Sequence, residues 1–335
     1  MKFAQRGFPF MRMCLRALAY QLAVQNGRTG FSPVKHLAGR YWLQNFLQCH
    51  PKLHIKNSKN LSIHRAMCAN PVQINKWFHL FQQVLQDLQL DYKPNNVWNI
   101  DESSLHDIPD EEQVIGIKGM PQMSTVAGEK GVNTTIMTFA SAGGITTPPM
   151  IIFKCGKIPP EWREAAPTGY LLHCSVKGYV NACLFLEYGE HFVQYLKEKH
   201  LLNTHDRHLL LLDSHKSHLF NLAFMRCMMN NRIEVLCLPP HYTHLLQPLD
   251  DAPFASLKRK FQSALIAHNL STGAKKLTKP EFFRIFIPVY TEAMSMSSVQ
   301  AGYRNCGIYP VDPKADKLKL TGPSKLTAFK WHQTG

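Results

Sequence analysis

Residues 209–213 read Leu209-Leu210-Leu211-Leu212-Asp213, four unbroken leucines closed by a carboxylate. So short and uniform an apolar run fits a strand buried on both faces rather than one that alternates between core and solvent. Working outward, residues 182–199 carry a helical pattern before it, and residues 217–230 carry another after it. A second buried strand is expected at 233–238 and a further helix at 253–268. Upstream, three short β-branched runs at 97–100, 134–139 and 150–153 are separated by Gly-, Pro- and Ser-containing turns, as in an antiparallel meander.

The order is therefore three strands, helix, strand, helix, strand, helix. It is the element order of an RNase H-like α/β domain, with a mixed five-stranded sheet flanked by helices. Ahead of it the periodicity is helical throughout. Residues 10–25 place Met13, Ala17, Tyr20 and Val24 on one face, and Ser32-Pro33 reads as the N-cap and first residue of a helix over 34–48. A third helix is expected over 72–88, with Ile74, Trp77, Phe78, Phe81, Val84 and Leu85 as its apolar stripe. These short helices suggest a small all-α helix-turn-helix domain. The expected division is 1–92 for that region, 93–270 for the α/β domain and 271–335 for a helical and irregular extension.

Charge points to a partner. The 335 residues carry a formal net charge of +15, and the first acidic residue is Asp87, after twelve lysines and arginines. Nothing within that stretch neutralises those cations, whereas phosphates would, with counterion release as the driving term. Arg6, Arg12, Arg16, Lys35 and Arg40 are the candidate DNA-contacting residues there, and Lys258-Arg259-Lys260 forms a second basic group. A solvated basic helix face is the plainer alternative for both. The nine cysteines are scattered without a Cys-x-x-Cys pair, so neither a disulfide framework nor a zinc finger fits, and a reducing compartment is the simplest reading. No apolar run is long enough to span a membrane. The stretch 11–24 is broken by Arg12 and Arg16 and lacks a cleavage site, making it a poor signal peptide. Cytosol or nucleus remains.

Three acids stand out by position. Asp101 follows the run Val97-Trp98-Asn99-Ile100, Asp213 follows the leucines, and Asp250 precedes the last core helix in Gln247-Pro248-Leu249-Asp250. Taken singly, Asp101 could cap a turn and Asp213 a helix. If the first and fourth strands are neighbours, however, the three carboxylates converge, and such a cluster calls for a cation. Mg²⁺ or Mn²⁺ suits oxygen ligands, and two ions could serve an in-line displacement at phosphorus. Glu102, His215, His218 and His244 lie beside these acids as supporting hydrogen-bonding groups. The His-x-x-His pairs 215/218 and 241/244 lack the rest of a zinc signature.

These residues also carry a resemblance. VWNIDE (97–102), LLLDSHKSH (210–218) and LPPHYTHLLQPLDDAPFASLK (238–258) resemble the three acidic motifs of the pogo/Tigger/Jerky group of DDE transposases in the mariner superfamily. ASAGGITTPPMIIF (140–153) and AGYRNCGIYP (301–310) resemble further blocks of that group, and RGFPF (6–10) with AGRYWL (38–43) is similar to the second half of a centromere-protein-B-type DNA-binding region. The likeness runs from about residue 4 to 313. Ser103-Ser104 stands where the group has Thr-Gly, and Asp251-Ala252-Pro253 where it often has Val-Gly-Val. Relative to that pattern the chain opens at the second helix-turn-helix unit. The resemblance implies that Asp101, Asp213 and Asp250 are the catalytic acids and metal ligands of a nuclear, two-metal endonuclease and strand-transfer enzyme. Its partner would be double-stranded DNA, on which a homo-oligomer could assemble. A domesticated chromosomal or regulatory DNA-binding protein without catalysis is the alternative.

Overall fold

A computed structural model describes residues 12–28, 30–51, 53, 55, 71–109, 132–202, 206–213, 221–239, 242–273 and 277–315. The chain divides into one unit of residues 1–72 with 320–335 and another of residues 73–319.

In the first unit, α1 (Arg12–Gln25) and α2 (Arg40–Cys49) are joined through a turn region. The helix expected to open at Ser32-Pro33 does not begin there. Residues 33–36 form a turn closed by an isolated bridge between Ser32 and Leu37, His36 adopts a positive φ of 48°, and the helix starts only at Arg40. A residue in the left-handed region cannot continue an α-helix, so the proline opens a turn instead. The Arg16 Nε donates to the Ala38 carbonyl at 2.6 Å while the Ala38 N–H donates to the Arg16 carbonyl at 3.0 Å, which ties the turn region back to α1. Among the described residues of this unit, Leu43 and Ala38 are the buried apolar ones.

The second unit begins within α3 (Pro71–Asp87), whose stripe Ile74, Trp77, Phe78, Phe81 and Leu85 is buried as its 3.6-residue period predicts. Among the described residues six strands follow: β1 (Val97–His106), β2 (Asn133–Ser141), β3 (Met150–Lys154), β4 (Leu171–Ser175), β5 (His208–Leu212) and β6 (Ile233–Cys237). The sheet order is β4-β3-β2-β1-β5-β6. The β1–β2 and β2–β3 pairs are antiparallel, and the remaining three are parallel. This is the mixed sheet of the expected α/β fold with one strand more than the five anticipated. Strand β4, Leu171-Leu172-His173-Cys174-Ser175, sits at the sheet edge, where pairing on one side only tolerates its polar half.

The helices of this unit are α4 (Pro160–Ala165), α5 (Ala182–Glu198), α6 (Leu222–Asn230), α7 (Thr243–Leu246), α8 (Pro248–Asp251), α9 (Pro253–Thr272), α10 (Lys279–Ala293) and α11 (Met296–Asn305). On one face of the sheet, Trp98, Ile100, Met137, Phe139, Leu210 and Leu212 pack with Leu184, Phe185, Tyr188, Phe192 and Leu196 of α5 and with Phe224 and Met228 of α6. Phe192 stacks on Phe139 at a ring separation of 4.1 Å and meets Trp98 edge-on at 5.0 Å. Truncating such a side chain to alanine costs about 3–5 kcal/mol.

Side chains alternate along a strand, so Asn99, Asp101 and Ser103 point to the opposite face. That face is covered by the last helices. Phe153 contacts Phe282 and Phe283 of α10, the Thr138 hydroxyl meets the Tyr290 hydroxyl at 2.7 Å, and Tyr303 of α11 donates to the carbonyls of Ala140 and Val97. The capping box of Thr278 and Glu281 starts α10.

Candidate active site

Strands β1 and β5 are parallel neighbours, with Asn99 opposite Leu211 as the last paired register. Asp101 and Asp213 each lie two residues beyond that register. Asp213 directly follows β5, as expected. Asp101 does not end its strand: β1 continues to His106 because β2 goes on pairing with it, Asp101 opposite Thr138 and His106 opposite Asn133. Asp250 sits in the four-residue helix α8, just ahead of α9.

The electrostatics tie the three together. Burial raises the Asp101 carboxyl well above its ordinary pKa, and the carboxylates of Asp250, Glu102 and Asp213 push it further in the same direction, against a hydrogen bond from the Glu102 backbone. Its Oδ2 is sealed from solvent and has no hydrogen-bond partner. A buried carboxylate oxygen with no donor, facing further negative charge, is an arrangement that only a proton or a cation relieves. Among the described residues, no three His, Cys, Asp or Glu side chains close around one metal position. The charges of Asp250 and Asp213 each act on the Asp101 carboxyl.

Two neutral residues overlooked in the sequence hold this corner. Asn99 is fully buried; its Nδ2 donates to the Leu211 carbonyl at 3.0 Å and its Oδ1 accepts from the Leu249 N–H at 3.3 Å. Gln247, also buried, donates from Nε2 to the Ile100 carbonyl at 3.1 Å. A polar side chain in the middle of Val97-Trp98-Asn99-Ile100, and another between Leu246 and Pro248, were the signals available.

Of the remaining candidates, Glu102 is partly buried beside Asp101. His215 and His218 lie outside the described residues; His244 belongs to α7, but its side chain lies outside them as well. In the first unit, Arg12, Lys35 and Arg40 are exposed, Arg16 is partly buried against Ala38, and Arg6 is outside the described residues. On α9, Lys258 and Arg259 are exposed, whereas Lys260 is ion-paired with Glu292 of α10.

The DDE superfamily endonuclease family matches residues 130–303, more than half of the chain. The chain belongs to that family. The match takes in Asp213 and Asp250, and Asp101 lies ahead of it. A curated relative, the MFS-type transporter clz9 of Cochliobolus lunatus, is 30% identical over 190 residues, which are 56% of this DDE-family chain. The chain spans only about a fifth of that relative's length, 20%. Among the described residues no helix is long and apolar enough to cross a membrane. Solved structures of Mos1 mariner transposase are also similar. Its strand transfer complex is 14% identical, with a TM-score of 0.48 over 96% of this chain and 80% of that one. Its paired end complex with Mn is 15% identical, with a TM-score of 0.46 over 88% and 78%.

Proposed function

We propose that the protein is a divalent-metal-dependent DNA endonuclease of the transposase type, acting on double-stranded DNA in the nucleus. The observation that carries this reading is the buried, partnerless Oδ2 of Asp101 beside the carboxylates of Asp213 and Asp250. The donor set fits hard cations such as Mg²⁺ or Mn²⁺, which accept one or two carboxylates and leave positions for water and phosphate oxygens. The charges of Asp213 and Asp250 acting on Asp101 suit two ions, one that Asp101 would hold with Asp213 and another that it would hold with Asp250. When bound, such ions would polarise the scissile phosphate and lower the pKa of an attacking water.

The chain's own residues account for the rest. Asp101 would be the ligand shared between ions, since the charges of both other acids act on it. The short helix α8 presents Asp250 at its first turn, and Asp213 enters directly from the rigid, fully buried β5. Exposed Lys258 and Arg259, about two turns into α9, are available to phosphates near the site. Arg12, Lys35 and Arg40 offer a second basic surface in the first unit. Water, and then a DNA 3′-hydroxyl, serve as attacking oxygens for cleavage and strand transfer.

The test is incubation with supercoiled DNA and Mg²⁺ or Mn²⁺ beside Asp213→Asn. The reading expects divalent-dependent nicking that disappears in the variant. Binding without nicking contradicts catalysis and leaves a DNA-binding protein that retains the fold.

A further inference from the structure

Asn99 has no exposed surface, and an amide buried this way is destabilising unless all its polar atoms are bonded. Its Nδ2 lies 3.0 Å from the Leu211 carbonyl and 3.3 Å from the Ile100 carbonyl, and its Oδ1 accepts the Leu249 N–H. Rotating the amide by half a turn would set oxygen against carbonyl oxygen, so chemistry fixes its orientation.

The Leu249 contact has a specific meaning. Helix α8 begins at Pro248, so the Leu249 N–H belongs to a first turn that has no intrahelical acceptor. The N-cap residue Gln247 does not supply one from its side chain. Asn99 does so from a strand 150 residues away. Gln247 instead donates from Nε2 to the Ile100 carbonyl. Each backbone atom held by this pair of amides lies within two residues of an acid: Ile100 precedes Asp101, Leu211 is two residues before Asp213, and Leu249 precedes Asp250. The β1–β5 ladder ends at the Asn99–Leu211 register, so beyond it no strand pairing fixes the spacing of Asp101 and Asp213.

We propose that Asn99 is the positioning residue of the acidic site, a buried amide that sets the three acid-bearing segments relative to one another so that divalent cations meet preformed ligands. It touches neither metal nor substrate and acts through the Leu211 carbonyl and the Leu249 N–H. This rests on the metal-site reading above, and the test separates the two.

Mn²⁺ binding to the full chain is measured by electron paramagnetic resonance for wild type, Asn99→Ala and Thr135→Val. Thr135 makes a buried hydrogen bond to the Gly178 carbonyl elsewhere in the sheet, so its loss reports destabilisation alone. The proposal expects Asn99→Ala to weaken Mn²⁺ binding about 10- to 100-fold, while Thr135→Val keeps the wild-type affinity. Wild-type affinity in Asn99→Ala, or equal loss in both variants, overturns the positioning role and leaves the metal site standing. Absence of Mn²⁺ binding by the wild type overturns the metal site itself. Should Asn99→Ala fail to fold, hydrogen exchange on the metal-free wild type decides. A protected Leu249 amide supports the Asn99 cap, and one exchanging as fast as an open loop overturns it.

Discussion

Gly302 of α11 lies directly against the Pro248 carbonyl of α8, so close that a Cβ built on it would stand 2.3 Å from that oxygen. The obstacle is backbone and cannot swing away. Asn305, one turn further along α11, donates to Asp251 at 2.7 Å, so this helix grips α8 at two points. Gly302→Ala must push the helices apart two residues before Asp250. Overpacking of this kind costs about 1–3 kcal/mol, and an error of about 1 Å at a reacting group costs on the order of 10²-fold in rate. The expected outcome is a lower melting temperature and a loss of nicking; a variant that nicks at the wild-type rate contradicts the role given to α11.

Asp101 makes the metal-free protein sensitive to its own site. Its folded pKa is raised above the unfolded value, so its contribution to stability is whole below the unfolded pKa and is lost as pH rises through the folded pKa. Near neutral pH the metal-free Asp101→Asn variant is therefore expected to melt higher than wild type, by about 2–4 °C for each kcal/mol relieved. Added Mg²⁺ should raise the melting temperature of wild type and leave the variant unmoved, which differential scanning calorimetry checks directly.

His208 carries the opposite pH dependence. Its Nδ1 accepts from the Trp98 indole at 3.1 Å and its Nε2 donates to the Leu201 carbonyl at 2.9 Å, which leaves no place for a second proton. Burial lowers its pKa, against a smaller upward pull from the Leu201 bond and Asp206. Its stabilising contribution is complete above the unfolded histidine pKa, about 6.5, and is lost as pH falls through the lower folded value. Urea unfolding at pH 8 and below pH 6 should show that loss, and His208→Gln, which offers an acceptor and a donor without titrating, should flatten it.

The two kinds of cation on α9 should separate in a salt titration of DNA binding. Lys258→Ala with Arg259→Ala is expected to reduce the slope of log affinity against log salt by about two. Lys260→Ala leaves the slope unchanged, because that ammonium already faces Glu292; its partly exposed pair contributes about 0–1 kcal/mol. A reduced slope in Lys260→Ala would place that residue on DNA instead.

The strands β1, β2, β3, β5 and β6 were legible because each is a compact apolar run between turn residues; Asp213 directly follows such a run and Asp250 lies ahead of the last core helix, as expected. Strand β4 was not, since His173, Cys174 and Ser175 give half of it the composition of a loop. Asp101 looked like a strand terminus because polarity rises after Ile100, yet pairing with β2 carries the strand through Glu102, Ser103 and Ser104. The helix at 34–39 failed on His36, whose positive φ nothing in its identity announces. Asn99, Gln247 and Gly302 were the hardest to see. Their roles consist of contacts across 112 to 150 residues in one case, 147 in another, and a helix-to-helix approach in the third, which no local pattern encodes.

The most direct measurement is manganese anomalous diffraction from crystals of the wild-type protein soaked in Mn²⁺. The account predicts anomalous peaks between the Asp101 carboxylate and those of Asp213 and Asp250, lost in Asp101→Asn crystals. Peaks bound elsewhere, or none against an ordered Asp101, would contradict it.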